Sequence, residues 1–459
     1  MDRAFSSLPL SPAMLANLAQ LGYAEMTDIQ AKSLPEVLAG RDLIAQASTG
    51  SGKTAAFAIG ALHALNTTFF APQTLVLCPT RELADQVAHE FRRLAKFAGN
   101  IKVVVLCGGG VSVRRQADTL EHGSHVIVGT PGRIADHLER GTLSLSRIRT
   151  LVLDEADRML DMGFKDIINA IARECPERRQ TLLFSATYED NIRQVSARLL
   201  RDPVEVRVAA LHDASTIEQH VFEVAPDART RTVDTLLRHF RPESTLAFCN
   251  TKAACDVLAQ ALQDQGHDAL ALHGDMEQRD RDVVLTEFAN GSCTVLVATD
   301  VAARGLDIKQ LGAVINVEVS RDPEVHIHRI GRTGRNGEQG LALTLCTPRE
   351  MHYIERIETY QGQRAQWADA SRLSPKGGAL RARYVTVAIQ GGRKDKLRPG
   401  DVLGALTGPG GLTGEHVGRI HVFEHVSYAA VERGQAAAAV ARMEGGSIKG
   451  RSLRARVVG

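Results

Sequence analysis

The chain has 459 residues, 44% hydrophobic and 24% charged, which excludes a collagen-like, disordered or small disulfide-stapled protein and suits about three domains at roughly 150 residues each. Its 55 Lys+Arg against 53 Asp+Glu give a net charge of +2, so bulk charge names no polyanionic partner. The distribution is less even: residues 381–459 hold 13 basic and 6 acidic side chains, an asymmetry that points to nucleic acid or to a solvated basic face.

In chain order, the N-terminal MDRAFSSLPLSPAML carries no basic-then-apolar leader pattern, and no apolar run approaches the ~18 residues that span a membrane. A cytoplasmic protein without membrane contact is expected. Six short apolar runs follow before residue 187: DLIAQA, TLVLCP, VVVLCG, HVIVGT, TLVLDE and TLLFSA. They alternate with helix-period stretches, the pattern of a parallel sheet whose strands are joined by long crossovers. A second series, QHVFEV, STLAFC, DALALH, CTVLVAT, AVINVE and LALTLC, predicts another such sheet. The reading divides the chain into a first α/β domain (1–208), a joint (209–219), a second α/β domain (220–365), a Pro- and Gly-punctuated linker (366–380) and a small α+β module (381–459). In that module YVTVAI, RIHVF, SYAAV and SLRARVV read as strands and GQAAAAVARME as a helix. Trp367 is expected to be a packing residue. The seven cysteines are odd in number and hold no Cys-x-x-Cys pair, so no structural metal is expected.

The first strand runs into Ala47, Ser48, Thr49, Gly50, Ser51, Gly52, Lys53 and Thr54, followed by an apolar helix. Glycines there let backbone N–H groups converge on phosphate oxygens at the positive helix end. Lys53 can then reach the β and γ phosphates, and the Thr54 hydroxyl can ligate Mg²⁺. A nucleoside triphosphatase also needs a carboxylate at a neighbouring strand end, and TLVLDEAD supplies Asp154 for Mg²⁺ and Glu155 to take a proton from the attacking water.

With these residues in place, the chain resembles the DEAD-box RNA helicases of superfamily 2 over essentially its whole length. The resemblance implies two tandem RecA-like domains, ATP and Mg²⁺ as ligands, and RNA as partner. Phe5, Tyr23 and Gln30 match the family's adenine-reading segment, the glutamine pairing with the base edge and the aromatic stacking on it. Arg81 in Pro-Thr-Arg-Glu-Leu, Gly109 in Gly-Gly, and Thr130 and Arg133 in Thr-Pro-Gly-Arg match its first-domain RNA contacts. Ser185 and Thr187 match the motif that couples hydrolysis to strand separation, with hydroxyls bonding the acidic cluster. In the second sheet, Gly274, Arg281 and Thr299 match RNA contacts and Asp307 a ribose contact. His328 ties its motif to the acidic cluster, and Arg332 and Arg335 act as arginine fingers on the γ-phosphate.

The tail resembles the RRM-like C-terminal domain of the bacterial DbpA-type branch of that family, on GGRKDKLRPGD and GGSIKGR. This implies recognition of a hairpin in 23S ribosomal RNA, with Arg393, Lys394, Lys396, Arg398, Lys449, Arg451 and Arg454 on phosphates. Tyr428 is the aromatic its central strands offer for base stacking. The expected protein is a monomeric, RNA-stimulated ATPase that locally unwinds 23S rRNA during large-subunit assembly. A general helicase of mRNA decay or cold shock, and an RNA clamp with little turnover, stand as alternatives.

Overall fold

In the computed structural model, residues 3–47, 50–109, 111–186, 190–208, 217–303, 311–334 and 339–458 are described. The chain forms two compact units, residues 1–211 with 305–307, and residues 212–304 with 308–459.

The first unit is built on β1 (Leu43–Gln46), β2 (Thr74–Leu77), β3 (Val103–Leu106), β4 (Val126–Gly129), β5 (Thr150–Leu153), β6 (Gln180–Ser185) and β7 (Val204–Arg207). They pair in parallel in the order β3-β4-β2-β5-β6-β1-β7. Both faces are apolar because each strand from β1 to β6 feeds two cores: Leu43 and Ala45 of β1 pack in one cluster and Ile44 in the other, as Val76 and Leu75 of β2 do. Helices on both faces are what a fully buried parallel sheet requires. β7 is a strand beyond the six read from the sequence. Its VEVR alternates exposed and covered residues at the sheet edge, so it lacks the apolar run of its neighbours.

The second unit carries β8 (Ile217–Glu223), β9 (Thr245–Phe248), β10 (Ala269–Leu272), β11 (Val295–Ala298), β12 (Ala313–Asn316), β13 (Gly340–Cys346) and β14 (Trp367–Ala368). Their order, β10-β11-β9-β12-β13-β8-β14, repeats that of the first sheet with every strand number raised by seven. Two boundaries differ from the sequence reading. The expected joint 209–219 ends inside β8, where Ile217 pairs with Gly340 and is buried; residues 209–216 lie outside the described ones. Within the expected linker 366–380, β14 adds to the sheet edge against β8, and Leu380 is buried in the core. Trp367 is not a packing residue: on this edge strand it is 44% exposed.

The same unit ends in a four-stranded antiparallel sheet of β15 (Tyr384–Ile389), β16 (Val417–Val422), β17 (Ser427–Glu432) and β18 (Ala455–Val457), ordered β16-β17-β15-β18. The helices Pro399–Thr407 and Ala436–Gly445 cover one face through Val402, Leu406, Ala439 and Met443, packed on Val387, Ile389, Ala429 and Val431. This β-α-β-β-α-β order is the RRM-like architecture. Strand alternation sends Thr386, Ala388, Tyr428 and Ala430 to the opposite face. The fold is therefore two RecA-like α/β domains and an RRM-like α+β domain.

Candidate functional site

Loops after parallel strands gather at one sheet edge, and strand order decides which loops meet. In the first unit β5, β6 and β1 are consecutive neighbours, so Asp154, Ser185 and the glycine turn stand side by side. The turn enters the helix Lys53–His63 with φ of 86° at Gly50 and 95° at Gly52, a left-handed conformation that suits glycine. A Cβ on Gly52 would lie 2.6 Å from Gln30 Nε2 and 2.9 Å from Thr27 Oγ1. Gln30 explains that closeness. Its Oε1 accepts from the Thr27 N–H at 2.9 Å, while its Nε2 donates to the Gly52 carbonyl at 3.2 Å. One amide thus links the start of the helix Asp28–Leu38 to the phosphate turn. Phe5 is buried in the core and meets Tyr23 edge-on, with ring centroids 6.0 Å apart. The Tyr23 hydroxyl donates to Glu90, and burial followed by that bond pushes its ionisation up.

Lys53 is buried and its Nζ has no hydrogen-bond partner among the described residues. An unpaired buried ammonium is costly, so the site is arranged for an anion to complete it. Asp154, also buried, is pushed up to about 7, foremost by desolvation, with Glu155 adding to the rise and Lys53 opposing it. Glu155 sits at φ 51°, ψ 53° at the start of the helix Ala156–Asp161, and its N–H donates to Asp154 Oδ1 at 3.0 Å. β6 bridges the two halves: Ala47 N–H donates to the Ser185 carbonyl at 3.0 Å, and Ala186 N–H to Asp157 Oδ2 at 3.2 Å. The backbone just after Ser185 thus bonds the acidic cluster. Thr54, in the first helical turn, and Asp154 offer the oxygen donors that a hard divalent cation such as Mg²⁺ takes. Ser48, Thr49, Thr187, Asp307 and Arg335 lie outside the described residues.

The other half of the sheet, β3-β4-β2, gathers the basic loops. Thr80 caps the helix Arg81–Leu94 through the Leu83 N–H at 3.3 Å, and Arg81 donates to the Gly109 carbonyl. Arg133, just past Thr130, donates to Gln116 Oε1 at 2.6 Å and the Val111 carbonyl at 3.1 Å. The buried His137 also bonds Gln116 Oε1, at 3.0 Å, and Gln116 Nε2 reaches the Cys107 carbonyl at 2.9 Å. Gln116, in the helix Val113–Glu121, therefore fastens the helix Pro131–Glu139 to the end of β3, a role that sequence reasoning missed.

In the second unit β10, β11 and β9 are neighbours, which assembles Gly274, Thr299 and Asn250. Arg281 donates to the Ala302 carbonyl at 2.8 Å, and Thr299 Oγ1 accepts from the Ala302 N–H at 3.4 Å. The hub is a residue given no role in the sequence reading. Arg329, 1% exposed, makes a two-pronged pair with Asp300 at 2.7 Å on both oxygens. It also donates to Asn250 Oδ1 and the Glu318 carbonyl, each at 2.8 Å, and lies over the Phe248 ring. His328 and Arg332 flank it: His328 in the last turn of the helix Pro323–Ile330 and Arg332, buried, two residues past that turn.

On the tail, Arg393, Lys394 and Lys396 meet Lys449 and Arg451 in one patch. Arg451 pairs with Asp395 at 2.6 Å, Lys449 with Asp401 at 2.6 Å, and Lys394 with His425 at 2.9 Å. Three of the five basic residues are thus held by the domain's own side chains. Arg393 and Lys396 are exposed and form no ion pair among the described residues.

Residues 27–195 match the DEAD/DEAH box helicase family, 228–337 the helicase conserved C-terminal domain and 386–457 the DbpA RNA binding domain. The chain is 50% identical over 456 residues to ATP-dependent RNA helicase DbpA of Escherichia coli (strain K12), covering 99% of each. It is 45% identical to DEAD-box ATP-dependent RNA helicase CshA of Geobacillus kaustophilus (strain HTA426), over 77% of this chain and 76% of that one. The solved structure of S. cerevisiae Dbp5 bound to RNA and ADP BeF3 superposes with a TM-score of 0.73 at 31% identity, over 80% of this chain and 96% of that one. No described helix is long and apolar enough to cross a membrane. The chain belongs to the DEAD-box ATP-dependent RNA helicases and ends in an RNA-binding domain of the DbpA type.

Proposed function

We propose that this helicase couples ATP hydrolysis to local, non-processive unwinding beside a hairpin of 23S ribosomal RNA during large-subunit assembly in the cytoplasm, acting as a monomer. One observation carries the specific part: the two basic loops 393–398 and 449–451 form a single patch on a domain that matches the DbpA RNA-binding family. That patch would select the RNA, and the core would act on the strand beside it.

In this reading Lys53, the backbone of residues 47–52 and Thr54 take the triphosphate, and Gln30, with Phe5 and Tyr23, takes the adenine side. Thr54 and Asp154 hold Mg²⁺, which would supply charge neutralisation between the phosphates. Glu155 orients the attacking water and takes its proton. Arg332 and Arg335 serve the transferring phosphoryl group, and Asp307 the ribose. Ser185, Thr187 and His328 relay the state of the acidic cluster. Arg81, Gly109, Thr130 and Arg133 in the first unit, and Gly274, Arg281 and Thr299 in the second, take the RNA backbone. Losing the γ-phosphate removes contacts that favour the RNA-gripping state and resets it.

The test is ATP turnover by the intact chain with no RNA, with poly(A), with duplex DNA and with a 23S rRNA fragment containing the hairpin. Selective stimulation by the ribosomal fragment supports the proposal. Equal stimulation by any RNA leaves a general helicase and removes the ribosomal assignment.

A further inference from the structure

The helix Val113–Glu121, between β3 and β4 in the chain, buries one side chain, and it is the amide of Gln116. An apolar residue would seat the helix at less cost, because a buried amide is tolerated only when its hydrogen bonds are made. Gln116 makes three. Its Nε2 donates to the Cys107 carbonyl at 2.9 Å, and its Oε1 accepts from Arg133 Nη1 at 2.6 Å and from His137 Nε2 at 3.0 Å. The amide can face only one way, since a guanidinium only donates and a carbonyl only accepts.

That orientation fixes the rest of the cluster. His137, fully buried, must donate to Gln116 from Nε2, so its Nδ1 accepts from the Thr142 hydroxyl at 2.7 Å. Burial, then the field of Arg133, lowers the basicity of His137, which keeps the imidazole neutral in this tautomer. Arg133, with a side chain only 14% exposed, is divided along its guanidinium. Nη1 uses both hydrogens, on Gln116 and on the Val111 carbonyl at 3.1 Å. Nε faces Asp136 at 3.7 Å, beyond hydrogen-bond reach, and Asp136 lies closer to Arg140, at 2.5 Å. Nη2 makes no hydrogen bond among the described residues. It stands 3.8 Å from the place a Cβ on Gly108 would take, so the exposed glycine leaves that edge uncovered.

We propose that Gln116 is a positioning residue for RNA binding: it locks the Arg133 guanidinium so that Nη2, on the Gly108 side, is the edge offered to a phosphate of the bound strand. A guanidinium held in this way loses little freedom when it takes the phosphate. His137 contributes by fixing the acceptor end of Gln116 from the opposite side. The proposal rests on Arg133 being an RNA contact, and it explains why a polar side chain occupies the buried position of an otherwise uncovered helix.

The experiment measures binding of a labelled oligouridine strand to the full chain by fluorescence anisotropy, with a non-hydrolysable ATP analogue present and over a range of salt. Each phosphate contact on a single strand contributes about 0.7 to the slope of log affinity against log salt. Gln116→Met removes the amide without changing the charge of the protein, so it can flatten that slope only by displacing a cation. The expected result is that Arg133→Met and Gln116→Met each flatten the slope by about 0.7 and weaken binding about tenfold. The double variant should bind no more weakly than Arg133→Met alone, because the amide acts through the guanidinium. Gln116→Asn, one methylene shorter and also uncharged, takes the place of Gln116→Met if that variant does not fold, with the same loss of slope expected. A flattened slope in Arg133→Met beside an unchanged one in the Gln116 variant overturns the proposal, as do losses that add in the double variant. An unchanged slope in Arg133→Met itself overturns the reading of Arg133 as an RNA contact, and the proposal with it, so the two failures are told apart.

Discussion

Lys53 gives a prediction in which stability and activity move in opposite directions. Its ammonium is buried and has no hydrogen-bond partner among the described residues. Leaving a buried donor unsatisfied costs about 1–3 kcal/mol, more when it is charged. Lys53→Met keeps the length of the side chain and removes that cost. The loss of Lys53's field on Asp154 opposes the gain. That carboxyl, already pushed up to about 7, takes a proton below neutrality and leaves no buried charge behind. In a unit of this size about 1 kcal/mol moves the unfolding midpoint by roughly 2–4 °C. The nucleotide-free variant should therefore unfold roughly 2–10 °C higher in the transition of the first unit, on the acid side of neutrality. ATP turnover should fall by about 10²-fold or more, as when one preorganised donor is lost from a charge-stabilising site. Calorimetry with and without ATP, beside a turnover assay, reads both quantities. A lower midpoint for the nucleotide-free variant would refute the argument that this site is strained until an anion fills it.

Three further outcomes follow from the geometry. Arg329→Met strands Asp300, Asn250 and the Glu318 carbonyl and should destabilise the second unit by about 3–5 kcal/mol in denaturant unfolding; a neutral result would mean the loops hold without their hub. Glu287 is buried against the tail and pushed from 4.5 up to about 7 by desolvation. The folded state therefore keeps its proton in that window, and stability falls as pH rises through it. Glu287→Gln should flatten the fall and raise stability above neutrality by on the order of 1–2 kcal/mol, as read from unfolding at several pH values. Arg393→Ala and Lys396→Ala should each lower the slope of log affinity for a 23S rRNA hairpin against log salt by about 0.7–0.9, measured by fluorescence anisotropy; an unchanged slope would place the phosphates elsewhere.

The twelve core strands of the two α/β sheets were legible because they carry short apolar runs, the most interrupted being β8 with Glu218, Gln219 and His220, and the ATP loops because glycine, lysine and paired acids occur at strand ends. The two extra edge strands were not: VEVR and Trp367-Ala368 are too polar or too short to stand out. Arg329 was invisible for a different reason, since an arginine in a basic turn reads as solvated until Asp300, 29 residues earlier, closes on it. The same holds for Arg451 with Asp395 and Lys449 with Asp401, pairs made across 56 and 48 residues of chain. Charge counting found the basic module but could not show which cations its own acids neutralise. Docking of the small sheet on the second α/β domain brings Thr386 to Asn290 and Ser292 and Tyr384 beside Gly291, a closeness that only the folded chain creates.

The central claim is that the site of Lys53, Asp154 and Glu155 drives RNA unwinding, and it is tested most directly by strand displacement. A short RNA duplex placed beside a 23S rRNA hairpin is given to the intact chain and to Glu155→Gln, each with ATP, while binding of ATP and RNA is followed separately. The account predicts ATP-dependent displacement by the intact chain and a loss of sustained turnover by about 10²-fold or more in Glu155→Gln, which should still bind both ligands. Undiminished turnover and displacement by Glu155→Gln would contradict it.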